Sequence, residues 1–329
     1  MTDPMTDPTA GPAHPTAGPA HPAPGPIDRL VSFGTVLVDL VCVVPGLPEP
    51  GGDVFGSSGA LVAGGGFTAM AAARQGGLRT LHAGTTGTGP FGDLARAALT
   101  AAGIETVLTP VADLDTGVCV VLVDATGERT FVTTPGAEGR FGPESLGQVP
   151  LRQTDAVLVS GYGLVHPATR RTILAVLAGL PAGATLVVDP GPLGHELAPA
   201  AREALFARAD WFTCNNREAT LLTGHTDPAV AASALAERLA GAVPATDVPR
   251  RVAHAVVRIG AAGCILAHAG AAPVFVSAVP ASVVSTNGAG DAHTGALLSA
   301  LAAGRAPLAA LRQANADARD FLNRRESNS

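Results

Sequence analysis

The segment STNGAGDAHTG, residues 285–295, combines a flexible turn with a carboxylate at the start of a predicted helix. Gly288, Ala289 and Gly290 allow a tight turn and a close approach of the backbone to a ligand. The apolar residues between 296 and 301 predict a buried helix behind that turn. Asp291 would then be either a simple helix cap or a base beside an anion held by the free N–H groups of the first turn. This segment alone favours neither interpretation.

A second polar pair occurs in CNNREATLLTG, residues 214–224, directly after an apolar run. Asn215 and Glu218 are three residues apart, so a helix that begins here carries both on one face. The simplest interpretation is a helix start with an acidic residue in its first turn, where the helix dipole favours negative charge. A chemical role for the pair therefore needs support from other parts of the chain.

The elements around these segments alternate between short apolar strands and Ala- and Leu-rich helices. The predicted strands include RLVSFGTVLVDLVCVV, TLHAGTTG, DAVLVSG, TLVVDPGP, WFTCNN and HAVVRIG, and the first two predicted helices are FTAMAAARQGG and PFGDLARAALTAAG. This alternation indicates a mostly parallel sheet covered on both faces. Ligands bind beyond the carboxyl ends of the strands in such sheets. The residues that follow strands here are Asp39, Asp189, Asn215 and Gly260.

Two segments are instead typical of antiparallel hairpins, because each contains two strand-like runs joined by a Gly-containing turn. They are LVCVVPGLPEPGGDVFGSSGALVAGG and TGVCVVLVDATGERTFVTTPG. We expect their strands, drawn from about residues 40–63 and 116–134, to pair in a small sheet that forms a lid. A lid excludes water from an active site and completes it.

The composition excludes several classes of function. All 21 basic residues are arginine, so a phosphate-binding loop of the G-x-x-x-x-G-K-S/T type cannot form. The net charge of −6 and the lack of a basic stripe disfavour nucleic-acid binding. No window reaches the roughly 18 apolar residues of a membrane span, so we expect a soluble protein without a membrane partner. A dinucleotide-dependent dehydrogenase is disfavoured, because no G-x-G-x-x-G follows the first strand.

The chain divides into a repetitive tail and one large folded region. Residues 1–26 repeat MTDP and TAGPAHP, and their Pro, Gly and Ala content predicts a disordered tail. The folded domain would span residues 27–329. Its four cysteines are widely spaced in or beside apolar runs, which is typical of reduced thiols in a cytoplasmic protein. They are Cys42, Cys119, Cys214 and Cys264.

In their order and spacing, these motifs resemble those of the ribokinase-like (PfkB-type) carbohydrate kinase family, from about Asp28 to the low 320s. GTVLVDLVCVVPGLPEPGGDV, GGGFTAMAAARQGG and GTGPFGDLARAALTAAGI are similar to the first family signature and its surroundings. CNNREA resembles the N-x-x-E motif, and VVRIGAAGC resembles the glycine turn on the nucleotide side. STNGAGDAHTG resembles the second signature, whose usual form is D-T-x-G-A-G-D. The resemblance implies a ribokinase-like three-layer α/β/α domain with a mostly parallel central sheet and a small β-sheet lid.

The resemblance also implies an ATP-dependent kinase that transfers the γ-phosphate to a hydroxyl of a small carbohydrate. The implied catalytic residues are Asp291 as the base and Gly288, Ala289 and Gly290 as the anion hole. The implied sugar-binding residues are Asp39, Gly64, Gly65 and Thr68. The implied nucleotide-binding residues are Arg258, Gly260, Gly263, Asn287 and Asn315. Asn215 and Glu218 would organise Mg²⁺ through water, and some relatives also hold a monovalent cation behind the anion-hole loop.

Three features depart from the family pattern. Thr68 stands where an Asn usually follows the glycines of the sugar-side signature, and Ser285 stands where the second signature usually begins with Asp. The sequence also ends with RQANADARDFLNRRESNS, where family members usually extend somewhat further, which bears on the adenine end of the nucleotide site. A nucleoside kinase of the same fold and a catalytically impaired sugar-binding or regulatory protein are therefore the alternatives. A homodimer formed through the lid is a further expectation.

Overall fold

A large sheet forms the centre of the molecule. The computed structural model describes residues 25–242, 251–280 and 287–326, without the side chains of residues 325 and 326. In these ranges the strands of the large sheet are β1 (Arg29–Ser32), β4 (Arg79–His82), β5 (Glu105–Thr106), β8 (Asp155–Ser160), β9 (Thr185–Asp189), β10 (Trp211–Asn215), β11 (His254–Arg258), β12 (Gly263–Ala267) and β13 (Val274–Ser277). Their order is β13-β12-β11-β10-β9-β8-β1-β4-β5, and only β12 runs antiparallel to its neighbours. The predicted mostly parallel sheet is confirmed.

A separate four-stranded sheet forms the lid. Its strands are β2 (Val36–Val43), β3 (Ser58–Gly65), β6 (Val118–Val123) and β7 (Arg129–Thr134). They lie in the order β3-β2-β6-β7, with β2 antiparallel to β3, β6 antiparallel to β7, and β2 parallel to β6. The two hairpins thus pair in one small sheet, as the sequence predicted, and the pairing is between their first strands. The first hairpin is longer than expected, since it starts at residue 36 and ends at residue 65.

The first apolar run of the chain contributes to both sheets, and this corrects one prediction. The sequence pattern indicated a single strand followed by Asp39, but the chain leaves the large sheet after Ser32 and starts β2 at Val36. Gly34 lies at this break, and its N–H donates to the Ser32 hydroxyl at 3.2 Å. Asp39 is therefore in the middle of a lid strand rather than at the end of a strand of the large sheet.

The helices lie on both faces of the large sheet. They are α1 (Phe67–Gln75), α2 (Pro90–Ala101), α3 (Tyr162–Val165), α4 (Pro167–Gly179), α5 (Pro199–Arg208), α6 (Asn216–Thr223), α7 (Pro228–Gly241), α8 (Ala289–Ala302) and α9 (Pro307–Glu326). Short 3-10 helices cover Ala137–Arg140, Pro143–Gln148, Gly194–Glu196 and Gly260–Ala262. Proline occupies the first turn of α2, α4, α5 and α7, where its missing N–H would have no partner within the helix.

Two apolar cores separate these layers. Alternate residues of a strand point to opposite faces, so Val31 of β1 joins the core beneath α4, α5 and α7. Its neighbour Leu30 joins the core beneath α1, α2, α8 and α9. The lid has a small core of its own around Cys119, Val121 and Val123. This is the predicted three-layer α/β/α arrangement with a separate lid sheet.

Helices α1 and α8 approach each other closely, and this contact fixes the position of the α8 N-terminus. A Cβ atom built on Gly295 of α8 would lie only 2.0 Å from the carbonyl oxygen of Ala69 in α1. Glycine is therefore required at this crossing, because the Ala69 carbonyl fills the space of a side chain. The crossing holds Gly288 next to Thr68, in the first turn of α1.

The cysteine thiols are all free, as their spacing predicted. Cys42 is partly buried, and Cys119, Cys214 and Cys264 are buried. Burial raises the pKa of Cys264 to about 11. In the part of the chain that the structure describes, no helix combines the length and the apolar character needed to cross a membrane.

Candidate active site

Asp291 lies in the first turn of α8, at the carboxyl end of the large sheet. The helix is capped by Gly288, which adopts the left-handed conformation (φ 78°, ψ 0°), and no side chain caps it. The simple capping role considered for Asp291 is therefore excluded. Ala292 is the residue whose N–H bonds back to the Gly288 carbonyl, at 2.8 Å. The N–H groups of the preceding residues have no acceptor within the helix, as is general for a first turn.

The environment of Asp291 makes its carboxyl a weak acid. Removal from water raises its pKa to about 7, and the charges of Asp189, Glu218 and Asp39 act in the same direction. The Arg258 guanidinium opposes them. A carboxyl with a pKa near neutrality can exchange a proton at physiological pH, which is the property required of a general base.

Arg258 connects three strands of the sheet to α8. Its Nη1 atom lies within hydrogen-bonding distance of three acceptors. These are the Asp189 Oδ2 atom of β9 at 3.0 Å, the Thr213 hydroxyl of β10 at 2.8 Å and the Thr294 hydroxyl of α8 at 3.1 Å. The Arg258 side chain is only 13% exposed. A buried guanidinium with charged and polar partners is held in one orientation.

Asn215 and Glu218 form a reciprocal capping box at the start of α6. The Glu218 N–H donates to Asn215 Oδ1, and the Asn215 N–H donates to Glu218 Oε2, both at 2.8 Å. The helix start that the sequence predicted is thus present. Burial, and then the charge of Asp189, raise the pKa of Glu218, while Arg258 opposes them.

The carboxylates near the α8 N-terminus suit a hydrated divalent cation. The charge of Asp189 raises the pKa of Glu218, and the charges of Asp189 and Glu218 both raise the pKa of Asp291, so an added positive charge would relieve this repulsion. The described residues do not bring three His, Cys, Asp or Glu side chains together in a metal-binding cluster. Magnesium typically keeps several waters and uses one or two carboxylates plus substrate phosphates, so this donor set fits it.

The lid places Asp39 beside the glycines of β3. Asp39 is directly opposite Cys119 in the β2–β6 pairing, so the two side chains share one face of the lid. A Cβ atom built on Gly64 would lie 2.3–2.4 Å from the Asp39 carboxyl group. Gly65 has a φ of 58°, and a Cβ there would lie 2.5 Å from the Thr35 carbonyl oxygen. Both glycines therefore let the lid strand pass close to Asp39 and Thr35.

Thr68 links the predicted sugar side to the predicted anion hole. It is buried in the first turn of α1, directly after the glycines of β3. A Cβ atom on Gly288 would lie 3.3 Å from the Thr68 methyl group and from the Phe321 ring. The first turn of α1 and the N-terminal cap of α8 are thus neighbours, as a single site requires.

The residues predicted to contact the nucleotide separate into two groups. Arg258 and Gly260 line one pocket together with Asn215, Asn216, Arg217 and Ile259. Gly263 and Asn315 do not line this pocket, and their described contacts support the β12–β13 edge of the sheet. A Cβ atom on Gly263 would lie 2.1 Å from the Val276 carbonyl oxygen, and Asn315 Nδ2 donates to the carbonyls of Val276 and Ser277 at 3.2 and 3.0 Å.

Of two further residues of the second signature, Asn287 lies within the described residues and Ser285 does not. Asn287 is partly buried and immediately precedes the Gly288 cap. Ser285, which departs from the family pattern, lies outside the described residues, as does the rest of segment 281–286.

Sequence reasoning missed Thr213, Thr294, Arg217 and Tyr162. Thr213 is two residues before Asn215 on β10, so both side chains point to the same face of the sheet, and Thr294 lies one helical turn after Gly290. The periods of strand and helix are therefore the sequence signals that could have indicated these two residues. Tyr162 directly follows the carboxyl end of β8 and is 44% exposed. Burial raises the pKa of Tyr162 to about 12, with smaller effects from Cys119, Asp291, Glu218 and Asp189. Tyr162 is therefore within electrostatic range both of a lid residue, Cys119, and of the carboxylates at the α8 N-terminus.

The fold and the site together define a class: an α/β enzyme with a small β lid over a carboxylate at an open helix N-terminus. The family model described as "pfkB family carbohydrate kinase" matches residues 27–324. The chain belongs to this family.

Several known proteins are similar to it. The uncharacterised sugar kinase YegV of Escherichia coli is 25% identical over 279 residues, which cover 82% of this chain and 81% of that protein. The adenosine kinase of Sinorhizobium meliloti shares the fold with a TM-score of 0.75 and 19% identity, over 91% of this chain and 94% of that one. The ribokinase of Cryptococcus neoformans in complex with ADP has a TM-score of 0.72 and 24% identity, over 90% and 94% of the two chains.

Proposed function

We propose that this chain is an ATP-dependent kinase that phosphorylates a hydroxyl group of a small carbohydrate. The observation that carries the proposal is Asp291, a carboxyl with a pKa of about 7 in the open first turn of α8. It is within electrostatic range of the lid residue Asp39 and of Arg258, which lines a pocket together with Asn215. Membership of the carbohydrate kinase family supports the same assignment.

In the proposed reaction, Asp291 accepts the proton of the acceptor hydroxyl. The hydroxyl oxygen attacks the γ-phosphorus of ATP and forms the new O–P bond. The bond between that phosphorus and the bridging oxygen breaks, and ADP leaves with the electron pair. A positioned base of this kind contributes about 10²–10⁴-fold to the rate, and its pKa is most effective near the working pH.

The backbone at residues 288–290 would act as the anion hole. Its N–H groups lie at the positive end of the α8 dipole, and the glycines let a phosphate come close to them. Donors fixed by the fold need no reorganisation as charge develops on the transferring group, and this is usually the largest single contribution to catalysis.

The acceptor would bind between the lid and α1. The Asp39 carboxylate can accept hydrogen bonds from two sugar hydroxyls, and the lack of side chains at Gly64 and Gly65 leaves them room. Thr68 offers one hydroxyl where a carboxamide would offer an acceptor and two donors. The acceptor should therefore make fewer polar contacts at this position than a sugar held by an Asn.

Mg²⁺ would be held close to the phosphates by Asn215 and Glu218 through water. When bound, it would neutralise charge on the β- and γ-phosphates. Glu218 Oε2 is used in the capping box, so its Oε1 oxygen is the atom that would hold a water of the ion. A monovalent cation would lie behind the anion-hole loop. Residues 281–286, which lead into this loop, lie outside the described ranges.

A nucleoside acceptor is the second candidate, and Tyr162 favours it. This ring is partly exposed and within electrostatic range of the lid residue Cys119 and of the carboxylates, so it could stack on a base. A sugar acceptor needs no such aromatic surface.

A panel of acceptors tests the proposal. Purified protein is incubated with Mg²⁺ and ATP plus one pentose, hexose or nucleoside at a time, and ADP release is measured. We expect release above the acceptor-free background with at least one sugar. Release with nucleosides alone would favour the second candidate. Binding of sugars without any ADP release would contradict the kinase assignment and indicate a sugar-binding protein.

A further inference from the structure

The guanidinium of Arg258 has one edge bound to protein and another edge open. Its three hydrogen bonds to described residues are all donated by Nη1, to Asp189, Thr213 and Thr294. Among the described residues, none accepts a hydrogen bond from Nε or Nη2. The side chain also lines the pocket next to Asn215. The Nε–Nη2 edge is therefore available to a ligand.

The face of the guanidinium, rather than its open edge, lies against the first turn of α8. A Cβ atom built on Gly290 would lie 3.3 Å from each of Nε, Cζ and Nη2 of Arg258. The guanidinium thus packs against the backbone of residue 290, which the proposed anion hole includes. Nε and Nη2 form a planar pair of donors whose spacing matches two oxygens of a phosphate group.

We propose that Arg258 is a phosphoryl-binding residue, whose Nη1 is anchored by protein and whose Nε–Nη2 edge binds the γ-phosphoryl group of ATP as it is transferred. This rests on the proposed kinase function. The resemblance to the family implied only a general nucleotide contact for this residue. The structure instead assigns it to the boundary between the nucleotide pocket and Asp291.

The charges around the site require such a group. Asp189, Glu218 and Asp291 all lie near the path of the phosphate and would repel it. The chain contains no lysine, so side-chain compensation must come from arginine. Arg217 also lines the pocket, but it is exposed in the first turn of α6. Arg258 is the more buried of the two, and its anchors fix its orientation.

The anchors distinguish this role from a simple structural ion pair. Asp189 alone would suffice to neutralise the guanidinium. The Thr213 and Thr294 hydroxyls add no charge but restrict the rotation of the planar group, so that its free edge keeps one direction. Preorganised donors of this kind are effective in the transition state because they do not move during the reaction.

The test compares Arg258→Lys with the wild-type protein. Lysine keeps the positive charge near Asp189 but lacks the two-donor edge. We expect kcat to fall by at least about 10²-fold. Binding of the ATP analogue AMP-PNP should weaken roughly 10- to 100-fold, whereas the Kd of ADP should change by less than about threefold. The exposed Arg171 of α4 supplies the control, since Arg171→Lys should leave all three quantities unchanged.

The outcomes separate this inference from the proposed function. A kcat within about threefold of the wild-type value, or equal weakening of AMP-PNP and ADP binding, would overturn the role of Arg258. If no acceptor gives turnover with the wild-type protein, but Arg258→Lys still selectively weakens AMP-PNP, the kinase assignment fails and the phosphoryl site stands. If Arg258→Lys does not fold, Thr294→Val removes one anchor and should lower kcat by about tenfold, since misplaced groups lose rate steeply. An unchanged kcat in Thr294→Val would then overturn the inference.

Discussion

Asp291 shows how the fold tunes one residue. Its carboxyl is removed from water at a helix N-terminus, which would otherwise stabilise a negative charge. Burial and three neighbouring carboxylates outweigh that effect and the opposing charge of Arg258, so the pKa rises to about 7. The same side chain in water would be a poor base, because its proton affinity would be too low.

This pKa predicts that catalysis depends on pH in the physiological range. Asp291 accepts a proton only when ionised, so kcat/KM for the acceptor should fall about tenfold per pH unit below about pH 6. It should reach a plateau above about pH 8. A pH profile of ADP release at saturating Mg²⁺ measures this. A flat profile between about pH 5.5 and 8.5 would show that no group with a pKa of about 7 controls the reaction.

The role of Glu218 is tested by Glu218→Gln. Glutamine can still accept the hydrogen bond from the Asn215 N–H, so α6 should stay capped, but the charge that would hold Mg²⁺ is lost. We expect the Mg²⁺ concentration for half-maximal rate to rise about tenfold. The matched control is Asp227→Asn at the N-cap of α7, which changes a capping carboxylate to an amide away from the site. Equal Mg²⁺ curves for Glu218→Gln and the wild type would remove Glu218 from its proposed role.

Individual residues differ in how far the sequence predicts them. Asp291, Asn215 and Glu218 lie in compact motifs, so their helix positions follow from local patterns. The anchoring of Arg258 could not be predicted in this way. Its partners are 69, 45 and 36 residues away in the sequence, and only the sheet order brings them together.

Among the elements, the α1–α8 crossing controls the position of the proposed anion hole. Gly295→Ala would place a Cβ atom 2.0 Å from the Ala69 carbonyl oxygen, and the two helices would have to separate. We expect the free energy of unfolding to fall by about 1–3 kcal/mol in denaturant titrations. Gly179→Ala in α4 is the control, because a Cβ there meets nothing within 4 Å, and its stability should be equal or higher. Equal stability of the two variants would contradict the described packing.

The lid is tested by Gly64→Ala. The new methyl group would overlap the Asp39 carboxyl group, which must then move away from its present position. The KM for the acceptor should rise about tenfold or more, because a small displacement of a binding group is costly. Gly59→Ala, on the same strand, is the matched control, because the nearest atom to its new Cβ would be the Val41 carbonyl oxygen at 3.6 Å, an ordinary contact. An unchanged acceptor KM in Gly64→Ala would argue against Asp39 as a sugar ligand.

The sequence predicts these elements unevenly. Both lid hairpins and the first two helices were predicted from apolar patterns and glycines at turns. The division of the first apolar run into β1 and β2 was not predicted, because the residues on both sides of Gly34 are equally apolar. A pattern of side chains reports burial, but it does not report in which of two sheets a strand is buried.

At the scale of the molecule, the two sheets each contribute residues to the proposed site. The large sheet supplies Asp189, Asn215 and Arg258 from the carboxyl ends of neighbouring strands, and the lid supplies Asp39. A separate lid sheet would allow the proposed acceptor side to be shaped independently of the proposed phosphate side. Dimerisation through the lid, a cytoplasmic location and the disordered tail of residues 1–26 remain predictions.

Stability of the whole molecule should also reflect the carboxylate cluster. The pKa of Asp291 is higher in the folded chain, about 7, than its ordinary value of 3.8. Between these two values the folded state holds a proton that the unfolded state has released, so this residue reduces stability as pH rises. An amide in its place does not ionise, and the variant Asp291→Asn should be at least as stable as the wild type at pH 8.

The most direct test of the proposed mechanism is therefore ADP release by Asp291→Asn, at saturating Mg²⁺ and ATP, with the best acceptor of the panel. If Asp291 is the general base, kcat should fall by about 10²–10⁴-fold, with AMP-PNP binding and thermal stability retained. A folded Asp291→Asn protein whose kcat stays within about threefold of the wild-type value would contradict this role.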